Sequence, residues 1–149
     1  MAWLFQLAIE CGNDQAAAIR VKDHFDGVML GTDQRPRLCH VGQLDQDELG
    51  RWWVSVVPDG AEPIAARGDK DLVREVSIDL YERLRTASGY RFALAGVEAF
   101  QFNDLEALPS IIGNPALNGF VVQEELFRSI LGNPGGFVPF SEGYVWKPL

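Results

Sequence analysis

The 149-residue sequence has few of the side chains on which catalysis and metal binding depend. It contains two histidines and two cysteines, with no C-x-x-C or H-x-x-x-H spacing among them. A structural zinc site would need all four side chains, so we expect no bound metal. The sequence also lacks a phosphate-binding loop and a G-x-S-x-G motif. It therefore predicts no catalytic residue and no cofactor.

Positive charge is also scarce. The chain has 13 Lys and Arg against 21 Asp and Glu, which gives a formal net charge of -8. Nucleic-acid binding requires clustered Lys and Arg, and only Arg35–Arg37 and Arg83–Arg85 come close. We therefore expect no nucleic-acid partner, whereas the acidity suits a basic protein partner.

No apolar run is long enough for a membrane span of about 20 residues. The apolar N-terminal stretch ends at Glu10, has no positive charge ahead of it and is followed by no cleavage pattern, so it predicts neither a signal peptide nor an anchor. We expect a cytoplasmic protein in which Cys11 and Cys39 are reduced thiols. A single bridge between them stays open until their separation is known.

Hydrophobic periodicity predicts an α+β fold. The most regular segment runs from Asp69 to Phe100, where an amphipathic helix turns at Gly89 into an apolar strand. Ahead of it we predict strands over 3–10, 37–43 and 51–57 and a helix over 15–25, and the short apolar piece 28–30 is either a further strand or an irregular connection. This is the split βαβ, or ferredoxin-like, order, in which an antiparallel or mixed sheet carries two main helices on one face.

The last third of the sequence is less regular and rich in aromatic residues. It predicts a short helix over 104–108, a strand over 119–122 and a helix over 123–131, followed by an aromatic tail. Aromatic side chains at this density are rarely left in water, so we expect the tail to dock. We predict a single domain over 1–149, with a core over 1–100 and a C-terminal extension over 101–149 docked on it.

The candidate functional residues are aromatic and acidic. Trp52 and Trp53 are neighbours on a strand and face opposite sides, so one is at least partly exposed unless both faces are covered. We expect aromatic residues to contact a partner and acidic residues to steer it, although the same aromatics could instead complete the core. The predicted binding residues are Trp53, Tyr144, Trp146, Asp45, Asp47 and Glu48. Trp146→Ala should then weaken partner binding without unfolding the domain.

In its size, acidity and lack of catalytic motifs, the chain resembles the small bacterial immunity proteins that inhibit basic toxins. This resemblance implies a non-enzymatic domain that binds a basic protein, and self-association as a homodimer is a further option. The alternative is a small-molecule-binding or enzymatic domain with a pocket between the sheet and the tail. His40, Tyr90 or Glu98 would supply its polar groups.

Overall fold

An antiparallel sheet organises the part of the chain that the computed structural model describes, which is residues 4–60, 70–97, 99, 109, 117–132 and 135–149. The elements in chain order are β1 (Phe5–Glu10), α1 (Gln15–Phe25), β2 (Met29–Thr32), β3 (Arg35–Val41), β4 (Asp45–Gln46), β5 (Trp52–Pro58), α2 (Lys70–Leu84), β6 (Phe92–Val97), β7 (Leu117–Gln123), α3 (Glu124–Leu126, continued by the π-helical turn Phe127–Leu131), β8 (Val138–Ser141) and β9 (Tyr144–Lys147).

The strand order is β2-β3-β5-β1-β6-β7-β9-β8, and the short β4 also pairs with β5. Every pairing among these strands is antiparallel. The central strands β3-β5-β1-β6, with α1 after β1 and α2 after β5, have the ferredoxin-like order. The predicted α+β fold is therefore confirmed. The sheet is extended by β2 on one side and by three C-terminal strands on the other.

Helix α1 has the bounds that the sequence predicts. The carboxylate of Asp14 accepts a hydrogen bond from the Ala17 N–H at 3.0 Å, which caps the first turn. At the other end, Arg83 of α2 donates from Nη2 to the carbonyl of His24 at 2.8 Å, and His24 Nε2 lies 3.0 Å from the carbonyl oxygen of Arg83. The two long helices are therefore tied to each other at their C-terminal ends.

Several element boundaries differ from the prediction. Helix α2 ends at Leu84, and Gly89, which has the expected left-handed φ of +86°, lies in the loop that follows. Asp69, with which the predicted segment begins, and the predicted helix over 104–108 lie outside the described residues. The polar connection after β3 contains β4, and the aromatic tail forms the hairpin β8–β9. None of the described helices has the length and apolar character required to cross a bilayer.

Both faces of the sheet are covered, so β1 is buried along its whole length. The cluster on the helix side includes Phe5, Leu7 and Ile9 of β1. A second cluster on the opposite face contains four large aromatic residues, Trp53, Phe92, Phe120 and Phe127. An apolar core on each side explains why the sequence of β1 is apolar beyond simple alternation.

A bulge in β7 is filled by a helix side chain. Leu94 of β6 lies opposite Phe120, whereas Ala95 lies opposite Asn118, so Gly119 is the extra residue. Gly119 has φ +79°, and a Cβ there would lie 2.9 Å from the ring of Tyr81. The hydroxyl of Tyr81 accepts a hydrogen bond from the Ala95 N–H at 2.8 Å. The bulge thus leaves room for the ring of Tyr81 and leaves the Ala95 N–H available as a donor to the Tyr81 hydroxyl.

Candidate functional site

The acidic residues that the sequence singles out lie in β4 and in the turn that joins β4 to β5, over residues 45–51, which we call the acidic turn. The Asp47 N–H donates to the carbonyl of Arg51 at 2.9 Å, and the Gly50 N–H donates to the carbonyl of Asp47 at 3.0 Å. Gly50 has φ +79°, a left-handed conformation that glycine adopts without steric cost. These contacts make the acidic turn a tight connection with a defined backbone.

Asp47 holds the acidic turn from the inside. Its Oδ1 accepts the N–H groups of Leu49 and Arg51, each at 3.0 Å. Its Oδ2 accepts Arg51 Nε at 2.7 Å and the indole N–H of Trp53 at 2.9 Å. Partial burial raises the pKa of Asp47, but the hydrogen bonds from Trp53 and Arg51 outweigh this and hold the pKa below its usual value. Asp47 therefore fixes the turn, a structural role that the sequence did not predict, and its role as a steering charge stays a prediction.

The outer side of the acidic turn presents one apolar and two acidic side chains. Asp45 and Glu48 are exposed, as the steering prediction requires. Leu49, which follows Glu48, is 77% exposed and is the most exposed large apolar side chain among the described residues. Sequence reasoning missed Leu49, although an aliphatic residue between Glu48 and Gly50 in a polar connection was the available signal.

Trp53 lies beneath the acidic turn and not on the surface. It is 1% exposed, and its ring meets Phe92 edge to face with 5.5 Å between centroids. The partly exposed indole of the adjacent pair is that of Trp52. Trp53 is therefore too deeply buried to contact a partner, which corrects its predicted role as a binding residue. Its indole N–H donates the internal hydrogen bond to Asp47.

A buried ion pair lies behind Trp53. Glu10 of β1 lies opposite Trp53 and is fully buried. Arg91 donates from Nε to Glu10 Oε1 at 2.8 Å and from Nη2 to Oε2, and the Gly12 N–H also donates to Oε1. The hydrogen bonds from Arg91 to Glu10 raise the pKa of Arg91 above its ordinary value. Because an unpaired buried carboxylate would be strongly destabilising, the pair accounts for Glu10 in this core.

The two predicted tail residues pack against the domain. Tyr144 is 6% exposed, stacks on Tyr90 with 4.2 Å between ring centroids, and donates from its hydroxyl to the Tyr90 carbonyl at 2.6 Å. Trp146 is partly exposed and lies 5.5 Å from the ring of Tyr81 and 5.1 Å from that of Phe140. Tyr144 is therefore an internal residue, which corrects its predicted role, and Trp146 has one face in contact with the core.

The two described residues of the alternative hypothesis, His40 and Tyr90, do not converge on a pocket. His40 Nε2 lies 2.5 Å from Asp59 Oδ1, but the two side chains are 56% and 58% exposed, so the pair is in solvent and not at the floor of a cleft. Tyr90 is buried beneath Tyr144. Glu98 lies outside the described residues.

The cysteines and the acidic groups form no metal site within the described ranges. Cys11 and Cys39 are free and buried. Burial raises the pKa of Cys11 to about 12 and that of Cys39 to about 11, so both are protonated thiols at neutral pH. No group of three or more potential ligands comes together among the described residues.

Comparison with known proteins adds no relative, since the chain matches no protein-family model, no curated protein and no solved structure. The acidic turn, with Asp45, Glu48 and Leu49 outward and Asp47 inward, is therefore the candidate site on geometry alone.

Proposed function

We propose that the chain is a non-enzymatic protein-binding domain whose acidic turn docks on a basic protein. The observation that carries this proposal is the outward placement of Asp45, Glu48 and Leu49 on a turn that Asp47 fixes from inside. A turn that is already ordered loses little conformational entropy on binding. Carboxylates speed encounter with a basic surface, and burial of the leucine adds apolar contact area.

The charge of the whole chain supports the same partner class. A net charge of -8 favours encounter with a basic surface beyond the few residues in contact. Inhibition of a basic toxin, as by an immunity protein, is one form of this function. Cytoplasmic residence is part of the proposal, and the two free buried thiols are compatible with it.

The small-molecule or enzymatic alternative has less support. A binding pocket needs convergent polar groups within apolar walls. His40 and Asp59 lie in solvent, whereas Tyr90 is enclosed by Tyr144. A surface groove of about 540 Å³ does exist at α3, but its walls contain neither His40 nor Tyr90.

The test uses the wild-type chain and its variants as baits for affinity capture from the native cell. Mass spectrometry then identifies the proteins that each bait recovers. The wild-type chain should recover a basic protein in near-equal amount. The double variant Asp45→Asn, Glu48→Gln should recover less of it and show a weaker salt dependence of association, because rim charges act on the association rate.

The matched control is Glu124→Gln, Glu125→Gln, which removes the same charge from exposed residues of α3. This control should recover the partner as the wild type does. Equal recovery by both double variants and the wild type would contradict docking through the acidic turn. A wild-type mass of twice 16.5 kDa by light scattering, with no basic protein recovered, would favour the homodimer.

A further inference from the structure

The outermost C-terminal strand, β8, leaves one long side without a partner among the described strands. It pairs with β9 alone, and Val138 is 45% exposed. An outer strand presents unpaired N–H and C=O groups, which are a template for a strand of another molecule. The residues of β8 whose backbone N–H and C=O groups point away from β9 therefore decide whether such pairing can occur.

Pro139 is a residue of β8 whose backbone groups point away from β9. It lies opposite Val145 of β9. In an antiparallel ladder, opposed pairs alternate between those that exchange two hydrogen bonds and those that exchange none. Proline has no N–H to exchange, so Pro139 and Val145 form a pair of the second type. The nitrogen and carbonyl of Pro139 therefore point to the open side, where the expected donor is missing.

Two neighbouring features also oppose strand pairing at the open side of β8. The register shifts between Pro139 and Ser141, which interrupts a strand of only four residues. The carbonyl of Phe140 accepts a hydrogen bond from Arg85 Nη1. Pro139 is thus the residue whose replacement would restore a regular outward donor. We infer that Pro139 keeps β8 from pairing with the same strand of a second copy.

The other outer strand is interrupted in a different way. Gly31 of β2 has φ +89°, and a Cβ there would lie 2.4 Å from the carbonyl oxygen of Arg35. A left-handed residue breaks the extended geometry that a regular neighbouring strand needs. The strands at the two ends of the strand order, β2 and β8, therefore each carry a residue that opposes edge pairing, and Pro139 is the one whose substitution restores a backbone donor.

The test is Pro139→Thr, which restores the N–H and introduces a residue that favours strands. Its weight-average mass by light scattering should rise with concentration from 16.5 kDa toward twice that value. The matched control is Pro148→Thr, because Pro148 is exposed and lies beyond β9, and it should remain monomeric. A folded Pro139→Thr variant that stays monomeric at the highest soluble concentration would overturn the inference.

A second variant separates strand pairing from general aggregation. Val138→Lys combined with Pro139→Thr brings two like charges together across the paired edges and should return the mass to that of the monomer. Undiminished association of this variant would also overturn the inference. If Pro139→Thr fails to fold by circular dichroism, Pro139→Ala restores the same N–H with a smaller side chain, and its mass decides the question.

Discussion

At the scale of single residues, the aromatic tail is more strongly packed than its position in the sequence suggests. Trp146 lies against Tyr81 and Phe140, and the guanidinium of Arg85 is 5.2 Å from its ring centroid. We expect Trp146→Ala to lower the free energy of unfolding by about 2–4 kcal/mol, because a large packed side chain is removed. Urea denaturation measures this loss.

The control for Trp146 is Leu49→Ala, because Leu49 is 77% exposed and should change stability by no more than about 0.5 kcal/mol. Equal stability of wild type and Trp146→Ala would restore the sequence-based prediction that Trp146 is only a contact residue. The structure favours the opposite result, in which Trp146 contributes to folding whether or not its exposed side also meets a partner.

Asp47 should make stability depend on pH in the acidic range. Its pKa is lowered in the folded chain, so its contribution is present above the unfolded value of about 3.9 and is lost as the pH falls through the folded value. The difference in unfolding free energy between wild type and Asp47→Asn should therefore be largest near neutral pH and shrink below pH 3.9. Denaturation at a series of pH values measures it.

Asp45→Asn is the control for Asp47, since Asp45 is exposed on the same turn. It should leave the pH profile near that of the wild type. A constant difference between wild type and Asp47→Asn at all pH values would show that the carboxylate charge does not stabilise the turn. No difference at any pH would show further that the backbone bonds of the turn and Gly50 are sufficient to fix its shape.

The sequence could identify the acidic turn but not the role of each residue in it. Alternation requires Trp52 and Trp53 to face opposite sides, but it does not tell how each side is covered. Asp47 differs from Asp45 because four donors converge on its carboxylate, and two of them come from Arg51. Such convergence depends on the turn geometry, which composition and spacing do not specify.

At the scale of elements, the β7 bulge couples the sheet to helix α2 and gives a sharp test. Gly119→Ala must place a methyl group 2.9 Å from the ring of Tyr81 while keeping φ at +79°. We expect a loss of about 3 kcal/mol or more, combining backbone strain with displacement of a buried ring. Thermal or urea denaturation measures it.

Gly27→Ala is the matched control, because Gly27 has φ +74° but nothing within 4 Å of the added Cβ. It should cost only the backbone strain, about 1 kcal/mol. Equal losses for the two variants would contradict close packing of Tyr81 in the bulge. Tyr81→Phe tests the other half of the contact, since it leaves the Ala95 N–H without its acceptor at a cost of about 1–3 kcal/mol.

Elements with a clear period were predictable, and those defined by local irregularity were not. Helix α1 and strand β1 follow regular patterns of apolar residues and were found close to their expected bounds. The hairpin β8–β9 was missed because Pro139 and the register shift interrupt its alternation. The helix predicted over 123–131 was found, but as α3 followed by a π-helical turn, a change in hydrogen bonding that side-chain spacing does not report.

At the scale of the whole molecule, the C-terminal strands complete both faces of the core. Phe140 and Tyr144 belong to the cluster on the helix side, whereas Val145 packs on the opposite cluster. A segment that contributes to both sides cannot be removed without exposing apolar surface on both. The acidic surface of the domain therefore depends on a core that the tail helps to build.

Deletion of residues 135–149 should accordingly abolish cooperative unfolding. It removes β8 and β9, uncovers β7, and exposes Tyr90 and Tyr81, which Tyr144 and Trp146 now cover. Because a domain has only about 5–15 kcal/mol of stability in total, the loss of two strands and their aromatic contacts exceeds what the rest can supply. Circular dichroism during heating measures the transition.

The control is Glu142→Gln in the exposed tail turn, which should unfold as the wild type does. A truncated chain that still unfolds cooperatively at the wild-type temperature would mean that the sheet is stable with β7 as its outer strand, and that the tail aromatics are free to serve a partner.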